Sequence, residues 1–143
     1  MDRKQTAVET FNSNFNCAQA VFSAFAPDLG LERPAALKIA SCFGGGMRCG
    51  EVCGAVTGAL MALGLKYGQS LPEDTESKLQ ANAKAGAFIE LFQKKHGTIL
   101  CKELLGYNLS IPDDLQKIKE QNLFGTVCPR LVADATELAE QIL

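Results

Sequence analysis

The chain has 143 residues, 47% of them hydrophobic and 21% charged, with a net charge of −2. That balance excludes disorder over most of its length, and the slight negative charge offers no electrostatic grip on nucleic acid. Trp is absent and Tyr occurs twice, so platforms for stacking bases are scarce as well.

Helical signals run along the whole chain, and no stretch alternates β-branched residues as a strand would. Residues 3–11 predict a first helix, interrupted by Asn12-Ser13-Asn14. Asn16 can cap a second helix over 17–26, which Pro27, Asp28 and Gly30 end. Pro34 suits the first turn of a third helix, 34–42, and Gly44-Gly45-Gly46 stops it. A fourth helix is predicted over 49–65, with Gly68 closing the region after it. Ser70-Leu71-Pro72-Glu73 reads as a capping box opening the longest helix, 71–96. Leu79, Ala83, Ala87, Leu91 and Ile99 form part of its expected apolar stripe, widened by Phe88 and Phe92. Lys94, Lys95, His96 and then Gly97 mark its end. A short turn or helix over Cys101–Leu105 stops at Gly106, and Ser110-Ile111-Pro112-Asp113 starts another. Thr126 can cap a last helix over 127–142, with Leu131, Ala135, Leu138 and Ile142 on one face. The expected fold class is therefore all-α, a single bundle-like domain over 1–143 of six or seven helices around one core.

The densest stretch is CFGGGMRCGEVCGAVTGALMALGL, residues 42–65. It lacks the Gly-Lys-Ser or Gly-Lys-Thr and the preceding strand that a phosphate loop needs. Its charge-free run, Val52–Leu65, has 14 residues, and a membrane span needs roughly 20, so no span is expected. Gly50, Gly54 and Gly58 recur every four residues, along one side of the predicted helix. A glycine inside a helix costs about 0.5–1 kcal/mol relative to Ala, which is sensible where another backbone or a bound group must come close. Cys49 and Cys53 share a face at the same spacing. They are not a Cys-x-x-Cys pair, no βαβ pattern surrounds them, and Cys101 and Cys128 have no close-spaced partners of the zinc-ribbon kind. Any site must be assembled by the fold from distant segments.

Six cysteines are available: Cys17, Cys42, Cys49, Cys53, Cys101 and Cys128. The start, MDRKQTAVET, has no apolar segment of the secretory kind, so the expected location is cytoplasmic. In a reducing compartment such a set points to metal binding or catalysis rather than a disulfide framework. Cys17, the Cys49/Cys53 pair and Cys128 all fall near predicted helix N-termini. Free amides and the positive end of the helix dipole stabilise a thiolate there, and thiolate is both the nucleophile and the metal ligand. On this ground Cys53 and Cys128 rank first, with Cys17 sharing the argument. His96, beside two lysines in the last turn of a helix, reads as a dipole-complementing end residue rather than a ligand. No Ser, His and Asp constellation is present.

The stretch Cys53-Gly54-Ala55-Val56-Thr57-Gly58 resembles the Cys-Gly-Ala-x-x-Gly signature of the C_GCAxxG_C_C family, small proteins to which redox activity is ascribed. Asn16-Cys17-Ala18-Gln19-Ala20-Val21 resembles the family's upstream cysteine element, and Phe43-Gly44-Gly45-Gly46-Met47 its glycine turn. Cys101, in Cys101-Lys102-Glu103-Leu104-Leu105-Gly106, and Cys128-Pro129 resemble its two downstream cysteines. The resemblance implies a core set of Cys17, Cys53, Cys101 and Cys128, with Cys42 and Cys49 secondary; Cys101 rests mainly on it. Three functions follow as expectations. The four thiolates could hold an iron–sulfur cluster or other metal for electron transfer. They could instead form a metal-free thiol–disulfide redox protein or sensor serving a redox partner protein. Or the chain could be a partner-binding helical domain whose cysteines only fill space.

Overall fold

The structure is a computed structural model that describes residues 2–143, and α-helix accounts for nearly all of its regular elements. Helix α1 spans Arg3–Asn12 and α2 spans Cys17–Phe25; a 3₁₀ turn, Ala26–Leu29, leads to α3, Arg33–Ile39. A wide turn over Gly46–Gly50 precedes α4, Gly54–Tyr67, and α5 runs over Thr75–His96. The remainder is α6 (Cys101–Leu105), α7 (Pro112–Glu120), α8 (Leu123–Thr126) and α9 (Cys128–Ile142). Helices α2 and α4 pack most extensively against each other. Helix α1 lies across α2 and α9, while α5 and α9 flank α4.

The crossing of α2 and α4 explains two glycines. A Cβ added at Gly58 would sit 2.7 Å from the Ala18 carbonyl oxygen, and one added at Gly54 would collide with the Cys17 sulfur. Small residues let the two backbones meet, and the buried Ala18, Ala55, Ala59 and Ala62 continue that close packing. Two apolar clusters result. The larger contains Cys53, Phe22, Phe88, Phe92 and Val132; the smaller gathers Cys101, Leu105, Leu109 and Ile118, with Cys128 packed against it.

The all-α expectation holds, although nine α-helical segments stand among the described residues instead of six or seven. The extra count comes partly from α8, a single turn that starts at a left-handed Asn122 (φ 53°) and runs almost directly into α9. Four local expectations change. Helix α4 starts at Gly54 and not at 49, because Met47 and Arg48 (φ 58° and 62°) are left-handed and Glu51 (φ −85°, ψ −133°) is not helical. Gly50 (φ 73°) therefore belongs to the turn, and the small helix face begins at Gly54. Helix α5 starts at Thr75, capped by Asp74, whose side chain accepts from the Ser77 N–H at 3.1 Å; Ser70–Glu73 form only a turn before it. Its expected stripe is rotated, with Leu79, Ala83 and Ala87 exposed and Phe88 and Phe92 carrying the burial. Finally, Thr126 does not cap α9: its hydroxyl donates to the Asn122 carbonyl within α8, at 2.9 Å.

Candidate thiol site

Cys17 is the first residue of α2, and the start of that helix is held from two sides. The Asn16 side chain accepts from the Gln19 N–H, and the Gln19 side chain accepts from the Asn16 N–H, both at 2.9 Å. This reciprocal pair satisfies two backbone donors at once. The Asn16 amide also donates to the Ser41 carbonyl, and Gln19 Nε2 donates to the Leu37 carbonyl, each at 2.9 Å. These bonds clamp the mouth of α2 to the end of α3. The sulfur of Cys17 is thereby set against Gly54 at the start of α4.

Cys53 occupies the cap position of α4, with an extended ψ of 134°. Ahead of it, Val52 pairs with Leu100 in an isolated antiparallel bridge. The Cys53 N–H donates to the Ile99 carbonyl at 2.7 Å, and the Cys101 N–H donates to the Glu51 carbonyl at 2.6 Å. That short bridge ties the segment before α4 to the segment before α6, so Cys53 and Cys101 lie diagonally across it. Cys128 is the first residue of α9.

All four sulfur-bearing residues line one cavity of about 720 Å³. It lies between the two apolar clusters, with Cys17 and Cys53 on the larger and Cys101 and Cys128 on the smaller. The thiols there differ sharply in acidity. Cys17 is brought down to about 6 by a hydrogen bond from the Cys53 thiol; burial opposes this, and the backbone N–H groups of Gly45, Ala18 and Cys17 itself assist. Cys53 moves up for the complementary reason, since its proton is held by Cys17, and burial and the Cys17 charge add to the shift. Cys101 is pushed up to about 11 by burial and then by Cys17, with Arg48 pulling weakly the other way. Burial raises Cys128 to about 12, with Cys17 and Cys101 adding to it. Of the four, only Cys17 is shifted toward the thiolate; the other three are shifted toward the thiol. Acidity thus ranks Cys17 first, ahead of Cys53 and Cys128.

The remaining candidates lie elsewhere. Cys42 and Cys49 are exposed and do not line the cavity; the Cys49 sulfur faces the Gly46 carbonyl at 3.3 Å. Cys49 and Cys53 do not share a helix face, because the left-handed turn separates them. His96, at the end of α5, sits 3.0 Å from Asp134 Oδ2, away from the sulfurs. Among the described residues no three Cys, His, Asp or Glu side chains come close enough to hold a metal ion. The described side chains thus form no preassembled metal centre, although the four cysteines share a cavity. No described helix is long and apolar enough to cross a membrane.

Sequence reasoning missed Arg48, Asn14 and Phe124, all of which line the cavity. Arg48 left a visible trace, as the one cation inside the glycine-rich turn. Asn14 and Phe124 left none, because their places depend on how α1 and α8 are laid against the bundle.

A family model described as "Putative redox-active protein (C_GCAxxG_C_C)" matches residues 15–142, which takes in all four cavity cysteines. No curated protein and no solved structure matches the chain.

Proposed function

The chain belongs to the C_GCAxxG_C_C family, and from that premise we propose that it is a metal-free thiol–disulfide redox protein in which Cys17 is the nucleophile and Cys53 resolves. The observation that carries this reading is the setting of the Cys17 sulfur at the first residue of α2, packed against Gly54 beside the Cys53 cap of α4, with the Ala18 and Gly45 amides and the Cys53 thiol favouring its charged form. A thiol with a pKa near ambient pH combines a large thiolate fraction with useful nucleophilicity.

In the exchange, the Cys17 thiolate attacks one sulfur of a substrate disulfide. A Cys17–substrate S–S bond forms, the substrate S–S bond breaks, and one substrate thiolate leaves and takes a proton. Cys53 then loses its proton and attacks the Cys17 sulfur. The Cys17–Cys53 disulfide forms and the second substrate thiolate departs. The substrate disulfide gains two electrons and becomes two thiols, while the protein dithiol loses two. Forming the mixed disulfide neutralises Cys17, so its charge no longer holds the Cys53 proton in place.

The test is equilibration in glutathione redox buffers, followed by acid quench, alkylation and peptide mapping. A Cys17–Cys53 disulfide is the expected product, with Cys101 and Cys128 still as thiols. Oxidation that leaves Cys17 free would sink the proposal. So would an iron-bearing, coloured protein after anaerobic reconstitution with iron and sulfide.

A further inference from the structure

We propose that the cavity takes a small disulfide bearing a carboxylate, with Arg48 as the anchor for the carboxylate. The inference rests on the thiol–disulfide reading and adds a substrate class to it. A volume of about 720 Å³ falls in the range of small-molecule sites, roughly 300–1,000 Å³. Apart from the cysteines, Arg48 is the one ionisable side chain among the lining residues, and no Asp or Glu is present there. An anion entering the cavity therefore meets one cation and no competing carboxylate.

Arg48 is also uncommitted. Among the described residues it joins none of the ion pairs, which engage Arg3, Lys4, Lys95, His96 and Lys102 instead. Its backbone is held in the left-handed region beside an equally left-handed Met47. Two such non-glycine residues in succession are costly, and strain of this kind collects where function demands it. A guanidinium binds a carboxylate through paired hydrogen bonds, which fixes orientation as well as adding affinity. Leu104, Leu109, Phe124 and Leu131 give the cavity an apolar wall that suits an aliphatic body. Held this way, the substrate would present its S–S bond to Cys17, and both products would be mercaptocarboxylates.

The test uses three disulfides of similar size and different charge: 3,3′-dithiodipropionate, bis(2-hydroxyethyl) disulfide and cystamine. The rate of mixed-disulfide formation at Cys17 is divided by the rate of 2-mercaptoethanol thiolate with the same compound, which removes intrinsic reactivity. The anionic disulfide should show an enhancement about tenfold above the neutral one, as a charge-assisted contact supplies. Cystamine should fall below both, and added salt should narrow the gap. Arg48→Ala should bring the anionic-to-neutral ratio close to one, and Arg48→Lys should keep part of it. Equal enhancement of the anionic and neutral compounds, or an unchanged ratio in Arg48→Ala, would overturn the inference while leaving the redox reading intact.

A second arm stands apart from exchange chemistry. Suberate, in which methylenes replace the two sulfurs, should slow alkylation of Cys17 by iodoacetamide in the native chain and not in Arg48→Ala. Protection by suberate without exchange would support the anion site and remove the redox reading. Neither exchange nor protection would remove both.

Discussion

Cys17 and Cys128 each open a helix on the wall of the same cavity, and their acidities move in opposite directions. Cys17 comes down to about 6, led by the Cys53 hydrogen bond, while burial takes Cys128 up to about 12. At α2 the Asn16–Gln19 capping pair occupies two donors through side chains, and other amides remain free to face the sulfur. At α9 the preceding turn of α8 runs in directly. The Val127 N–H is bonded to the Leu123 carbonyl, and Pro129 has no N–H to offer. Position at a helix start is therefore not enough to make a thiolate. What counts is whether unspent amides point at the sulfur and whether a second thiol can donate to it.

The largest expected effect is on reactivity. At pH 7 a thiol near 6 is roughly 90% thiolate and one at an ordinary value near 9 roughly 1%. Cys17 should therefore react with iodoacetamide at least about tenfold faster than Cys128, even after its lower intrinsic nucleophilicity is allowed for. Its rate should reach half-maximum near pH 6. Equal labelling of the two by mass spectrometry would erase the contrast. Stability should carry the same signature. The Cys17 pKa falls on folding, so its contribution is present above the unfolded value near 9 and is lost as pH falls through about 6. Cys101 and Cys128 are raised, so theirs is present below about 9 and is lost as pH rises through about 11 and 12. Cys17→Ala should flatten the acid limb of a urea-denaturation pH series and weaken the alkaline limb, leaving there only what burial sets at Cys53, Cys101 and Cys128.

The next effect tests the α2–α4 crossing that brings Cys17 to Cys53. Gly58→Ala would force a methyl to 2.7 Å from the Ala18 carbonyl oxygen. Overpacking of this kind costs about 1–3 kcal/mol, partly offset by about 0.5–1 kcal/mol of helix propensity. Denaturation showing the variant equal to or more stable than the parent would mean the two helices are not in such close contact.

The two predicted caps give the smallest effects and the most direct comparison. Asn16→Ala removes a capping box and the tie to Ser41, and should cost about 1–2 kcal/mol. It should also slow labelling of Cys17 at pH 6–7 by loosening the amides around it. Thr126→Ala removes only a hydroxyl bonded back within its own short helix, and should change stability by less than about 0.5 kcal/mol. Similar costs for the two would contradict the different construction of the two helix starts.

The helices themselves were largely legible. Asn16 capping α2, Pro34 in the first turn of α3, Gly97 ending α5 and the Leu131, Ala135, Leu138 face of α9 all follow from local rules, because capping and periodicity involve residues a few positions apart. The misreadings have different causes. A helix over 49–65 has a plausible local pattern that distant contacts overrule, whereas the cap at Thr126 loses to a bond four residues back and Leu79 is simply turned to solvent. Glu51–Cys53 are drawn out straight by pairing with Ile99–Cys101, and no window of a few residues contains both partners.

The sequence by itself determined that the protein is helical, that Gly54 and Gly58 admit a close neighbour, and that Cys17, Cys53, Cys101 and Cys128 are the cysteines to watch. The first two follow from short-range backbone preferences, and the cysteine set is what the resemblance to the family's pattern implies. Only the tertiary structure decided that the four line one cavity, that Cys42 and Cys49 stay outside it, and that Arg48 joins them. It also set the thiols apart, Cys17 moving down in pKa and Cys53, Cys101 and Cys128 moving up. A thiol's pKa depends on the donors, charges and apolar walls within a few ångströms of it, and here those come from segments that are remote in the chain and adjacent only in the fold.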